Sequence, residues 1–290
     1  MSVWAAKIRK EMARAASDFN LIQPGDRILV AVSGGKDSAI MLLLLEEMRR
    51  RAPFRFEVQP VLLDQKQPGF DLRDFRNWLL NEHGLVLTVL EEDTYGIVVA
   101  KTAPGKSFCG LCSRLRRGIL YNYAFDNGFS KIALGHHRED LNETLLMNLF
   151  YGGKIATMAP LLSSDDGRNH VIRPMVYVPE SWISSYAEEI RVPVIPCNLC
   201  GNQEGLKRAR MKQLIADLSL DYDQVAASMS RALANVAVDK LLDRRIGGRG
   251  ALEPAPEASE LRVSPGNDRG CAGQLSVFAD VSDCDVESQI

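Results

Sequence analysis

The feature that most limits the fold is the junction at residues 27–38. An apolar, β-rich run (27–32, RILVAV) passes through Ser33-Gly34-Gly35-Lys36-Asp37-Ser38 into a helix-like segment at 38–50. The run reads as a buried strand because Pro24-Gly25-Asp26 bounds it on one side and two glycines on the other. A strand that delivers a glycine-rich turn to a helix N-terminus is where open α/β sheets bind ligands. The glycines let the backbone approach an anion, and the free amides of the first helical turn favour phosphate oxygens. Lys36 adds a point charge, and the Ser33 and Ser38 hydroxyls add donors. Asp37 is the odd member, since a carboxylate repels phosphate; a shared Mg²⁺ reconciles the two. The spacing is not that of a G-x-x-x-x-G-K-S/T loop. The bland alternative is a strand-to-helix turn with no ligand.

Downstream, strands and helices alternate. Strands are expected at 56–63, 85–91 and 131–134, and helices at 71–82, 113–127 and 139–150. Helices of this length between strands imply a parallel α/β sheet covered on both faces. Asp64 follows the second strand and Gly135-His136-His137-x-x-Asp140 the fourth, which brings both to the same C-terminal edge of the sheet. Asp140 suits Mg²⁺ or substrate orientation, or simply the first turn of the following helix. Residues 3–19 read as an amphipathic helix. Past Gly152-Gly153 the rhythm loosens into a short strand at 171–174 and helices at 179–190, 204–218 and 223–242. The expected organisation is an N-terminal helix (1–22), a nucleotide-binding domain (23–200), a helical extension (201–246) and a disordered acidic tail (247–290).

The 290 residues are 46% apolar and 25% charged, enough for a sizeable core. The longest apolar run, 39–45, is far short of a bilayer span, and the N-terminal residues lack a signal-peptide pattern, so a cytoplasmic protein without membrane attachment is expected. The net charge of -2 is unevenly spread. Residues 251–290 hold eight acidic residues against two arginines, which leaves the body mildly basic. Four of the six cysteines form two C-x-x-C pairs, Cys109/Cys112 and Cys197/Cys200, and Cys271 and Cys284 stand singly in the tail. The first pair is expected in a loop before a helix. Four thiolates suit a structural zinc, and equally an iron–sulfur cluster; a redox dithiol is a third reading, and spacing does not separate them.

The S-G-G-x-D-S segment resembles the signature of ATP pyrophosphatases, which cleave between the α- and β-phosphates and adenylate a substrate. More specifically, residues 10–240 resemble the tRNA-cytidine 2-sulfurtransferase family. The segments carrying the resemblance are SGGKDS, LDQKQPGF (62–70), EEDTYGIV (91–98), CGLCSRLRRGILY (109–121), KIALGHHREDLNETLLMNLFYGGK (131–154), VIRP (171–174) and IPCNLCGNQ (195–203). The acidic tail has no part in it.

That resemblance implies a Rossmann-like PP-loop fold and a dimeric cytosolic enzyme that thiolates cytidine 32 of the tRNA anticodon loop. It implies ATP, Mg²⁺ and a [4Fe-4S] cluster held by three cysteines, which displaces zinc. Cys109 and Cys112 map to two ligands, and Cys200 is taken as the third with Cys197 as the alternative. Nucleotide binding is expected at Ser33, Gly34, Gly35, Lys36, Asp37, Ser38, Asp64, Gly135 and His136, and catalysis at Lys36, Asp37, Arg116 and Asp140. Adenylation of the cytosine C2 oxygen would make AMP the leaving group. A cluster with three protein ligands leaves one iron open to present sulfur, and a cysteine desulfurase is the expected source. Arg114, Arg116 and Arg117 are candidates for tRNA phosphates or the adenylated intermediate, against a solvated helix face. Lys207, Arg208, Arg210 and Lys212 form a second candidate footprint, against a bland basic helix. Trp78 and Trp182 are expected in the core. Competing readings are thiolation of a tRNA uridine, amidation of a small molecule, and a non-catalytic metal-stabilised tRNA-binding protein.

Overall fold

The structure is a computed structural model that describes residues 2–102, 109–164, 166–195 and 203–242. The chain divides into two units after Ser230. The first unit contains, in chain order, α1 (Val3–Asp18), β1 (Arg27–Val32), α2 (Lys36–Arg51), β2 (Glu57–Asp64), α3 (Arg73–His83), β3 (Thr88–Glu91), α4 (Thr94–Lys101) and α5 (Cys109–Asp126). It continues through β4 (Lys131–Ala133), α6 (Arg138–Tyr151), β5 (Leu161–Ser163), β6 (His170–Ile172), α7 (Glu180–Glu189) and α8 (Gln203–Asp221). No described helix is long and apolar enough to cross a membrane.

The six strands run in the order β3-β2-β1-β4-β6-β5, and every pairing is parallel except β5 with β6. The chain builds outward from β1 to β3 and then returns to add β4 on the other side. The strand order therefore switches between β1 and β4, and the loops after these strands open the crevice there. Successive β1 residues face opposite sides. Ile28, Val30 and Val32 join a core with α1, α2, α3 and α7, whereas Leu29 joins Val61, Ile132 and Val171 under Leu120 and Ala124 of α5. Helices thus cover both faces, as expected.

α1 buries Ala5, Ile8, Met12 and Ala15, one stripe at helical spacing, and Ser2 caps it by accepting from the Trp4 and Ala5 amides. Trp78 is buried, and Trp182 is partly buried against the same core. At the edge of the sheet away from the crevice, the buried Lys131 ammonium donates to Asp26 (2.7 Å) and to the Leu21 carbonyl (2.9 Å).

Four expectations need correction. The Cys109–Cys112 segment is the first turn of α5 and not a loop before it. The strand expected at 85–91 begins at Thr88. Neither α4 nor the antiparallel β5 was foreseen. The helix expected over 223–242 is α9 (Val225–Leu233) followed by one 3-10 turn, Val238–Lys240. In that last stretch the Ala234 and Asn235 amides close i→i+3 bonds onto Arg231 and Ala232, which tightens and ends the helix. The acidic tail at 247–290 lies outside the described residues.

Candidate functional site

Gly34 adopts φ +82°, the left-handed region. A Cβ there would stand 2.7–2.9 Å from the Ile195 side chain, whose backbone N–H donates to the Gly34 carbonyl at 2.9 Å. A side chain is excluded twice over, by conformation and by contact. Gly35 is the N-cap of α2 and offers no side-chain cap. The loop is braced instead by hydroxyls: the Ser33 amide donates to Ser38 Oγ (3.1 Å), Ser38 Oγ donates to the Gly35 carbonyl (3.1 Å), and the Gly35 amide donates to Ser33 Oγ (3.3 Å). First-turn amides of α2 are left for an anion. Gly135, at the end of β4, lies so close that a Cβ would be 3.1 Å from the Ser38 backbone.

These pieces surround a pocket of about 220 Å³ at the switch point of the sheet. Its floor is apolar, from Ala31, Val61, Leu63, Leu120 and Leu134, and its polar wall comprises Ser33, Asp37, Ser38, Arg116, His136 and Asp140. Arg116 enters from α5, and its buried Nε has no hydrogen-bond partner within the described residues. Arg114 instead donates to the Gly110 carbonyl at 3.2 Å, and Arg117 is not among the lining residues. Asp64 ends β2 beside Leu63, its carboxylate accepting from the Lys66 amide (2.8 Å) and Nζ (3.3 Å).

The acidic and basic groups are heavily paired. Asp140 Oδ2 accepts from the His137 amide (2.9 Å), which caps α6, and Oδ1 accepts from Arg208 of α8 (2.5 Å). Arg208 also donates to the buried Glu143 (2.6 Å). Lys36 Nζ donates to Asp37 (2.9 Å) and to Glu180 at the start of α7 (3.2 Å), and Lys212 donates to the other Glu180 oxygen (2.8 Å). Two of the four α8 basic residues are therefore engaged in ion pairs, while the Lys207 ammonium lies 5.0 Å from the Tyr151 ring centre. Burial opposes the charge on Lys36, but Asp37 and Glu180 outweigh it and hold its pKa above the ordinary value. Burial likewise opposes the His137 imidazolium. The Glu139 contact and the fields of Asp140 and Asp37 prevail and raise its pKa. Burial also works against the Glu139 carboxylate, yet His137, Arg138 and the Glu180 amide bring its pKa down to about 2.

Sequence reasoning missed Arg173, Glu139, Glu143, Glu180 and Gln65. Buried Arg173, in VIRP, donates to His136 Nδ1 (3.3 Å) and to the Ala159 carbonyl (2.6 Å). That contact leaves His136 Nε2 to carry the ring proton. The Gln65 carbonyl oxygen Oε1 accepts from Cys112 Sγ at 3.1 Å. The motif strings contain Gln65 and Arg173, but only the fold reveals their partners.

Cys109 and Cys112 stand three apart on the first turn of α5, so the helix brings their positions to one face. Arg116 follows Cys112 by four residues, about 6 Å further along the axis. Cys197 and Cys200 lie outside the described residues. Among the described residues no three His, Cys, Asp or Glu side chains are grouped to hold a metal. Two cysteines whose positions share one face of a helical turn beside the pocket fit a cysteine-ligated cluster in donor chemistry.

Residues 96–214 match the PP-loop domain family. A Bdellovibrio bacteriovorus protein named tRNA-cytidine(32) 2-sulfurtransferase is 49% identical over 240 residues, covering 83% of this chain and 92% of that protein. A protein of the same name from Marinobacter nauticus is 48% identical over 252 residues, covering 84% and 83%. Among solved structures, the U34-tRNA thiolase NcsA from Methanococcus maripaludis with its [4Fe-4S] cluster shares the fold. Its TM-score is 0.65 at 19% identity, with 83% of each chain covered.

Proposed function

The chain belongs to the tRNA-cytidine(32) 2-sulfurtransferase family, and from that premise we propose that it converts cytidine 32 of the tRNA anticodon loop to 2-thiocytidine by adenylating the C2 oxygen and replacing it with sulfur. It is a tRNA sulfurtransferase with a PP-loop domain. The observation that carries the mechanism is the adjacency on α5: Arg116 lines the phosphate-loop pocket, and Cys112 sits one turn away.

Exchanging a carbonyl oxygen for sulfur needs no net electron transfer, but the oxygen is a poor leaving group. Attack of the cytosine C2 oxygen on the α-phosphorus of ATP releases pyrophosphate and leaves AMP on that oxygen. The α2 amides, Ser33, Ser38 and Lys36 hold the departing phosphates, and the Arg116 guanidinium meets the charge on the α-phosphate. The apolar floor takes the adenine ring. His136, oriented by Arg173, donates from Nε2 toward the nucleotide. Asp37 would hold Mg²⁺ against the phosphate oxygens, where the ion would supply charge neutralisation. Asp140 keeps Arg208 and the start of α6 in register with the pocket wall, and Asp64 holds Lys66 at the β2 edge.

Cys109, Cys112 and Cys200, with Cys197 as the alternative, would hold a [4Fe-4S] cluster, and when bound it supplies Lewis-acidic iron for the incoming sulfur. A single-stranded anticodon loop lets its base be splayed into the pocket, which a duplex base resists. The remaining parts of the proposal are cytoplasmic operation as a homodimer, a cysteine desulfurase as sulfur source, and the domain boundaries given above. Anaerobic, iron-replete enzyme given ATP, sulfide and unmodified tRNA should yield 2-thiocytidine at position 32 by nucleoside mass spectrometry. Absence of the product, or 2-thiouridine in its place, overturns the proposal.

A further inference from the structure

Gln65 occupies an unusual place for a polar side chain. It is only 8% exposed, immediately past the end of β2 at the crevice edge of the sheet. Its backbone is fixed: the Tyr95 amide donates to the Gln65 carbonyl (3.2 Å), and Lys66 follows at φ +59°, pinned by its amide to Asp64 Oδ1 (2.8 Å). Its side-chain oxygen accepts from two groups, Cys112 Sγ at 3.1 Å and the buried Thr94 hydroxyl at 3.1 Å.

A carboxamide has a property that no other side chain of this length shares. Half a turn about its last torsion puts Nε2 where Oε1 was, and turns two accepted hydrogen bonds into two donated ones. A protonated thiol needs an acceptor. A metal-bound thiolate has lost its proton and takes a donor. The Thr94 hydroxyl serves either orientation, because it donates and accepts. Gln65 can therefore satisfy the Cys112 sulfur in both states without moving the backbone. Glutamate could serve only the thiol, and leucine neither.

We propose that Gln65 is the positioning residue for the Cys112 sulfur, accepting from the thiol in the metal-free protein and donating Nε2–H to the thiolate when the cluster is bound. The inference rests on the reading of Cys112 as a cluster ligand. A hydrogen bond donated to a ligating sulfur draws charge from it and raises the reduction potential of the cluster. Gln65 thereby acts on the electronic character of the iron as well as on the place of the sulfur.

The test compares wild-type, Gln65→Glu and Gln65→Leu chains, all reconstituted anaerobically with iron and sulfide after circular dichroism has established that they are folded. Iron and sulfide content, the potential from an electrochemical titration, and the electron paramagnetic resonance spectrum of the reduced cluster are read. Wild-type protein should take up the cluster. Both variants should show a potential more negative than wild type and altered g-values, with Gln65→Glu shifted further because it adds charge beside the sulfur. Wild-type and variant clusters with the same potential and spectrum overturn the role of Gln65 alone. Wild-type protein that takes up no cluster overturns the ligand reading, and this inference with it.

Discussion

At Gly34 the chain has no room for a side chain, and the reason joins local conformation to tertiary contact. Its φ of +82° costs an ordinary L-residue about 1–2 kcal/mol, and Ile195 fills the space a Cβ would take. Gly34→Ala should lower the melting temperature and weaken nucleotide binding together, read by calorimetry and titration with ATP. A variant with unchanged nucleotide affinity would show that the loop tolerates displacement. Arg116→Ala should leave the fold intact, since the guanidinium belongs to a pocket wall and not to the core. Its kcat should fall about 100- to 1,000-fold, the usual consequence of removing one donor from developing charge. The glycine-rich loop and the His136/Asp140 segment were legible because residue type and placement after a strand point to one crevice, and Arg116 was a candidate only through its place after the first cysteine pair. Gln65, Arg173 and Glu180 were not legible. Their partners lie 47, 37 and 144 positions away, a separation that no local periodicity encodes.

Among the elements, α8 is the one whose role changed most between sequence and structure. Its basic residues suggest a tRNA footprint, yet Arg208 and Lys212, one turn apart, hold Asp140, Glu143 and Glu180. Glu143 has a side chain only 5% exposed, and burial raises its pKa despite Arg208. Arg208→Ala should destabilise the protein by about 3–5 kcal/mol in urea denaturation, since it strands a buried carboxylate. Adding Glu143→Gln should recover part of that loss; no recovery would place the cost in Asp140 or in packing. The N-terminus of α6 makes a pH prediction. His137 has a raised pKa, so its contribution to stability is complete below 6.5 and is lost as pH rises through the folded value. Glu139, depressed to about 2, contributes above 4.5 and loses that contribution as pH falls toward 2. His137→Gln should flatten the decline in stability above pH 6.5 and shrink the acid limb, because His137 is one of the groups that depress Glu139. Elements with strong period and clear caps were legible. Residues 94–101 were not, because Tyr95, Ile97, Val98 and Val99 have β-prone side chains around Gly96, and tertiary packing overrode that preference. The three-residue β5 is too short for any pattern.

For the whole molecule, every described residue of the site comes from the first unit, and the sheet order alone explains why they meet. The loops after β1 and β4 flank the strand-order switch, β2 brings Gln65 alongside, and α5 lays Cys112 and Arg116 across the same edge. A chain ending after Asp243 should keep thiolation activity, since residues 2–242 contain all the described machinery; complete loss on truncation would give the acidic tail a part in the reaction. The parallel sheet was legible from alternation. The antiparallel return of β5 was not, because pairing at a sheet edge is set by tertiary geometry.

The adenylation step is tested most directly by isotope transfer. tRNA carrying ¹⁸O at C2 of cytidine 32 is turned over by anaerobic, cluster-loaded enzyme with ATP and sulfide, and the nucleotide products are analysed by mass spectrometry. Adenylation of the C2 oxygen predicts one ¹⁸O in AMP for each 2-thiocytidine formed. Thiocytidine formed while AMP stays unlabelled would contradict it.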